Sequence, residues 1–312
     1  MKEKILIVGS GVLGAYLSEI FLKKSYEVYV GTRYLRKNYK NYKYLKKQKK
    51  IKFIKLNFLN KKVVENIIKH LKPEAIYYFA GQSSIYKSLK KPKSTLDSNF
   101  YGAKVFLDII HKNKLNIKFF KANSGYIFES LKYDKTLKYK FLKPNNPYLD
   151  AQIKAFKAVE KFRKLGVKCY SLIFFNIESP LKEKNFIFSK VKNFIKTKKT
   201  KFLKVGNIDV VRDFSWAPEI MKGVFYSINL KPQNIIFASG KAFYLRDMIK
   251  FFFDLKNMNF KDFIKIDKNL FRKNEKKIVT INKLKTNDLL KKFGWKPKIY
   301  GKQLVKKIFN SK

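Results

Sequence analysis

Close to the N-terminus, the apolar run Ile5 to Val8 turns directly into Gly9-Ser10-Gly11-Val12-Leu13-Gly14, and an amphipathic stretch from Leu13 to Lys24 follows. Glycines at this spacing, between a strand and a helix, constrain the fold more than any other feature of the sequence. The first permits a tight turn, the second lets the backbone approach a pyrophosphate, and the third lets helix and strand pack closely. The helix N-terminus is then aimed at the phosphates. Opening a βαβ unit, the run predicts a dinucleotide held by Gly9, Gly11, Val12, Leu13 and Gly14. The plain alternative is a glycine-rich turn with no ligand.

The rest of the first half keeps the same rhythm. Strand candidates are Glu27 to Val30, Ile51 to Leu56, Ala75 to Phe79, Ile117 to Ala122 and Val167 to Phe174. Between them lie helical patterns at Lys62 to Leu71, Ser98 to Lys112 and Tyr148 to Leu165. Alternation of this kind means right-handed crossovers and a parallel sheet covered on both faces, so the fold class is α/β, a Rossmann-type doubly wound sheet. After Pro180 the pattern changes to helices, irregular segments and isolated strands such as Ile235 to Ala238. We therefore expect a cofactor-binding Rossmann domain over residues 1–178 and a smaller substrate-binding lobe over 179–312, with some elements returning to the first domain.

The second strand ends in Gly31-Thr32-Arg33, with no carboxylate where an NAD-preferring site holds the ribose diol. Arg33, with Arg36 nearby, can instead meet a 2′-phosphate, which favours NADP(H) over NAD(H). Arginine is scarce here, six residues against a mass of lysine, and its forked donors suit phosphate.

That lysine gives the 312-residue chain a net charge of +50. Its excess is spread from end to end and comes with surplus Phe, Ile, Asn and Tyr, as drift in an AT-rich coding sequence produces. No basic tail or recognition motif is present, so no specific nucleic-acid partner is expected. The single cysteine, Cys169, lies in an apolar run and reads as core; with no second cysteine there is no intramolecular disulfide. His70 and His111 stand apart from every motif, and no metal site is expected. No apolar stretch approaches a membrane span, and a cytoplasmic location is expected.

From Tyr148 onward the motifs become specific. The glycine run is followed by Phe79-Ala80-Gly81-Gln82-Ser83, Asn99-Phe100-Tyr101-Gly102, Ser124 and Pro147-Tyr148, and then by Phe175-Asn176-Ile177-Glu178-Ser179-Pro180 with Phe186 and Lys190. Val205-Gly206-Asn207-Ile208-Asp209, Arg212-Asp213-Phe214, Phe271-Arg272 with Glu275, and Phe293-Gly294-Trp295-Lys296-Pro297 complete the series. In this order the chain resembles the extended short-chain dehydrogenase/reductases, its second half most of all the GDP-mannose 4,6-dehydratases. The resemblance implies a nucleotide-sugar enzyme, a homodimer or tetramer, serving capsule or lipopolysaccharide sugar synthesis. It places Asn57, Ala80, Asn99 and Tyr148 against the cofactor beside the glycine run, and Asn176, Lys190, Arg212, Arg272 and Glu275 on the GDP-sugar.

Two positions depart from the family pattern. A tyrosine serves as acid/base at the sugar hydroxyl, with a lysine four residues on, on the same helix face, to lower its pKa. Here Tyr148 is followed at that spacing by Gln152. Lys154 is about 240° around the helix from Tyr148 and faces elsewhere. The dehydratases also place a glutamate two residues after the Ser or Thr, to take the C5 proton as water leaves C6. Ser124 is kept, but that glutamate is Tyr126, which looks more like the deoxysugar 4-ketoreductases or simply packs under the sugar. Glu129, three residues beyond Tyr126, would need a local bulge to replace the carboxylate.

Three functions follow. One is an NADP-dependent enzyme acting at C4 of a GDP-hexose or GDP-heptose, with dehydration as the family default. The second is a 4-ketoreductase, 4-dehydrogenase or epimerase without water loss. The third is a degenerate member that binds both ligands and acts as a partner of an active relative.

Overall fold

The computed structural model describes residues 2–35, 41–43, 48–133, 137–271, 277–279 and 292–311. Arg36, Arg272 and Glu275 lie outside the described residues. Within them the chain forms two compact units, one of residues 2–174, 221–237 and 292–295, the other of residues 175–220, 238–271, 277–279 and 296–311.

The first unit opens with β1 (Lys4–Val8), α1 (Val12–Lys23), β2 (Glu27–Thr32) and β3 (Lys52–Lys55). Next come α2 (Lys61–Leu71), β4 (Ala75–Tyr78), α3 (Ile85–Lys90), α4 (Pro92–Leu96) and α5 (Gly102–Lys112). Local chemistry sets the helix starts. Asn60 caps α2 by accepting from the Val63 amide, and Ser84 caps α3 from Lys87. Between α4 and α5 the chain makes one π-turn, Asp97–Tyr101. The helical pattern read from Ser98 thus starts earlier, at Pro92, and is broken by this turn. β5 (Lys118–Ser124) is followed by a hairpin, β6 (Phe128–Tyr133) and β7 (Leu137–Phe141), which the sequence pattern did not announce. α6 (Pro147–Lys164) starts with proline at its first position and Asn146 accepting from the Leu149 amide, and β8 (Cys169–Phe174) closes this stretch.

After Phe174 come β9 (Asn176–Glu178), α7 (Ile187–Thr197), β10 (Leu203–Val205), β11 (Val211–Trp216) and α8 (Ala217–Tyr226). β12 (Asn234–Phe237), β13 (Ala242–Tyr244), α9 (Leu245–Asp254), β14 (Ile264–Ile266), β15 (Ile278–Val279) and α10 (Gly301–Asn310) complete the chain.

The first unit is built on a seven-stranded sheet in the order β12-β8-β5-β4-β1-β2-β3, parallel throughout. The order reverses between β1 and β4, the switch point at whose C-terminal ends such folds bind ligands. Both faces are covered. On one, register sets Tyr77, Phe120 and Tyr170 side by side, with ring centroids 4.4 and 4.2 Å apart. On the other, Leu6, Val8, Ile76, Phe106, Phe119 and Val159 form the core with Cys169, whose thiol is buried and donates to the Val159 carbonyl. The next row on that face is Tyr78, Lys121 and Ser171.

In the second unit β11 is flanked by β13 and β15, with β9 paired to its far end. Phe188, Val191, Phe214, Met248, Phe252, Leu304 and Ile308 make its core. Asp213 is fully buried and accepts from Ser215 and from the Ser239 and Gly240 amides, tying that turn to β11.

Candidate active site

Three glycines decide what the β1–α1 turn can hold. Gly9 has φ +108°, and a Cβ there would lie 2.7 Å from the Ala80 nitrogen, so only glycine lets the turns after β1 and β4 touch. A Cβ on Gly14 would lie 2.6 Å from the Gly9 carbonyl oxygen. Gly11 differs: nothing lies within 4 Å of its Cβ position. It is also the N-cap of α1 and offers no side chain to the first-turn amides, which leaves donors and the positive end of the helix dipole facing that open space. Val12 and Leu13 are the first helical residues. The turn therefore fits a dinucleotide pyrophosphate. Gly11→Ala is expected to leave thermal stability unchanged and weaken dinucleotide binding at least tenfold, whereas Gly9→Ala should destabilise the fold by about 2–5 kcal/mol through strain and overlap. Calorimetric titration and thermal melts check both.

Arg33 leaves the end of β2 exposed, its guanidinium 5.3 Å from the Phe58 ring centroid, with Asn57, also exposed, just after β3. The Asn57 side-chain oxygen Oδ1 accepts from the Leu59 amide.

The catalytic candidates meet at the ends of β4 and β5 and the start of α6. Tyr148 is buried in the first turn of α6, with the Ser124 hydroxyl at the end of β5 beside it. Burial pushes its phenol above the ordinary tyrosine range, and the Ser124 hydroxyl draws it part of the way back. The Ser124 oxygen also accepts from the Tyr126 amide at 3.2 Å, which fixes the short helical turn Gly125–Ile127 and leaves Tyr126 half-buried.

Gln152 is buried one turn on from Tyr148. Its amide nitrogen donates to Asn99 Oδ1 at 2.9 Å, and its backbone carbonyl accepts from Asn123 Nδ2 at 3.2 Å. Asn99 in turn donates to the carbonyls of Gln82 and Thr95. It can do so because it sits on the π-turn, a distortion common at functional sites. Gly81 is glycine for the same cluster, since a Cβ there would overlap Asn99 Oδ1. Asn123 was not singled out in the sequence; alternation along β5 is the signal that places it on the face of α6.

Lys154 is turned outward, paired with Asp150. The bulge that Glu129 requires is present: the β6–β7 register shifts between Phe128 and Ser130. The carboxylate it carries is exposed and paired with Lys140 at 2.7 Å.

In the second unit Asn176 pairs in register with Phe214, two residues along β11 from Arg212. Arg212 is buried and donates to the backbone carbonyls of Val211 and Lys277. Lys190 is exposed on α7. Among the described residues no group of His, Cys, Asp and Glu is placed to hold a metal, and no helix is long and apolar enough to cross a membrane.

Comparison with known proteins identifies the family. The model of the GDP-mannose 4,6 dehydratase family matches residues 6–308. GDP-mannose 4,6 dehydratase 1 of Arabidopsis thaliana is 27% identical over 96% of this chain and 87% of its own length. The GDP-mannose 4,6-dehydratase of Vibrio cholerae is 25% identical over 80% of this chain and 71% of its own. Two solved structures share the fold: the dTDP-glucose 4,6-dehydratase of Streptomyces venezuelae, which holds NAD, at TM-score 0.82 and 13% identity over 98% of this chain and 96% of that one, and the UDP-glucose 4-epimerase of Thermotoga maritima at 0.80 and 18% over 98% of each. The chain belongs to the GDP-mannose 4,6-dehydratase family, nicotinamide-dinucleotide-dependent enzymes of nucleotide sugars of the extended short-chain dehydrogenase/reductase type.

Proposed function

We propose that this enzyme acts at C4 of a GDP-hexose or GDP-heptose in the manner of the GDP-mannose 4,6-dehydratases, with GDP-mannose the first substrate to test. The buried Tyr148 phenol beside Ser124 carries the reading, because it stands at the end of the sheet, where a sugar hydroxyl can lose or regain a proton. The Asn99–Gln152 bond fixes the helix turn behind it. A nicotinamide dinucleotide on the glycine turn supplies the two-electron oxidant and reductant. Asn176, Lys190 and Arg212, with Arg272 and Glu275, are assigned to the diphosphate and nucleoside, where cations and fixed donors match the ligand. The same reading expects a dimer or tetramer of identical chains.

NADP(H) is the assigned cofactor, on Arg33 and the missing carboxylate after β2. Arg33→Ala should lower NADP affinity by about 10–100-fold, a charge-assisted contact to phosphate, and leave NAD affinity unchanged in calorimetric titration. Equal losses for both would remove the basis of the assignment.

Tyr126 supports a second reading, redox or epimerisation at C4 without water loss, since the residue two beyond Ser124 carries no carboxylate and Glu129 pairs outward with Lys140. The mass of GDP-mannose and of GDP-manno-heptose after incubation with the protein and NADP decides between them. Loss of one water supports the dehydratase, and a change of two hydrogens, or an unchanged mass with an altered sugar spectrum, supports the second reading. Unaltered sugar contradicts both and leaves the binding-partner role.

A further inference from the structure

Lys121 stands in the middle of the central sheet, 1% exposed, the one fully buried lysine among the described residues. On one side of it in register is Tyr78 of β4, its ring centroid 5.6 Å from the ammonium nitrogen, and on the other is Ser171 of β8. Asn123, two residues along β5, lies on the same face and grips the Gln152 carbonyl of α6. Lys121 carries three donor hydrogens, and one meets the Ala122 carbonyl. Three buried oxygens have no hydrogen-bond partner among the described residues: Oγ of Ser171, its neighbour in register, Oδ1 of Asn123, and Oε1 of Gln152, to which Asn123 is bonded. A buried amine short of acceptors, on the same face as buried acceptors short of donors, is a polar cluster with a purpose beyond packing, since an unpaired buried charge is costly and methionine would fill the space without that cost.

We propose that Lys121 is a positioning residue for Tyr148: its ammonium, bonded directly or through one water to the Asn123 and Gln152 amides, supplies from the sheet the positive charge that Gln152 does not supply from the helix. The inference rests on the reading of Tyr148 as the acid/base group. The groups facing Lys121 are few. β4 presents the Tyr78 phenol, bonded to the Ser98 carbonyl; β8 presents Ser171 and Cys169; Asn123, two residues on along β5, leads through its bond to the Gln152 carbonyl into α6, where Gln152 in turn bonds Asn99 of the π-turn. None is a carboxylate, and burial alone draws the Lys121 amine down to about 7. Positioning of this kind requires Lys121 and Tyr148 to titrate as a coupled pair, in which the form with ammonium and phenolate is one of the two singly deprotonated states.

Two measurements test this. In the first, the pH profile of kcat is recorded for the wild type, Lys121→Met, and Lys121→Met with Gln152→Lys. The rising limb should move up by at least two pH units in Lys121→Met, with kcat at neutral pH falling at least 100-fold and KM changing less than threefold, and Gln152→Lys should bring the limb back down. An unmoved limb in a folded Lys121→Met protein overturns the proposal, because a packing role shifts stability and not the titration of turnover. The second needs neither turnover nor a Lys121 variant: NMR titration of ¹³Cε-labelled lysine in the wild type and in Gln152→Glu. A Lys121 midpoint near 7 that rises by a unit or more in Gln152→Glu shows that the amine shares its site with position 152. A midpoint that does not move refutes the coupling, whether or not any GDP-sugar is turned over. Absence of turnover together with a shifted midpoint would instead strike the C4 reading and leave the coupled site standing.

Discussion

Tyr148→Phe is expected to lower turnover of the GDP-sugar by about 10²–10⁴-fold, the range removed with a positioned acid/base group. The ring fills the same buried space, Pro147 and Asn146 still start the helix, and the fold should be intact. Binding of GDP-mannose and of the dinucleotide should change little, because neither the glycine turn nor the second unit is touched. Ser124→Ala should cost less, since it removes a hydroxyl beside the phenol and not the phenol itself. Steady-state kinetics with titration calorimetry on the two variants checks the order. A Tyr148→Phe enzyme with native turnover would remove Tyr148 from the chemistry altogether.

The second large effect is on stability. Lys121 has its amine drawn from the ordinary 10.5 to about 7 by burial. Below about 7 both folded and unfolded chains carry the proton, and the fold bears the full cost of a buried ammonium. Between about 7 and 10.5 the unfolded chain binds more protons than the folded one, so stability rises with pH, and above that range the cost has vanished. Over the window the gain is of the order of 5 kcal/mol, from 3.5 pH units at about 1.4 kcal/mol each. Lys121→Met should therefore be the more stable protein at pH 6, and its advantage should shrink through the window and disappear above about pH 10.5. Urea unfolding of both proteins across that range measures the difference. An advantage independent of pH would mean that Lys121 is not a buried titrating amine.

Much of this architecture was legible in the sequence because it depends on local chemistry. The glycine turn and the alternation of apolar runs with amphipathic stretches each act within a few residues, and the first-half strands lie close to where the pattern placed them. The β6–β7 hairpin escaped because Leu131 to Phe141 mixes lysine, tyrosine and leucine with no glycine or asparagine to mark a turn. Lys121 escaped for another reason. In a chain with this much surface lysine, one more in a strand reads as solvated, and only the pairing of β5 between β4 and β8 places it inside. The partnership of Asn99 with Gln152 likewise depends on a π-turn that helical periodicity does not encode.

Both enzymatic readings require the carbon–hydrogen bond at C4 to break, and the site is assigned on that basis. GDP-mannose carrying deuterium at C4, incubated with the protein and NADP and followed by NMR, examines that bond directly. The account predicts sugar whose C4 has lost the deuterium, or carries it with the configuration inverted, and predicts that neither appears with Tyr148→Phe on the same timescale. Conversion of GDP-mannose to a product in which C4 keeps its deuterium and its original configuration would contradict it.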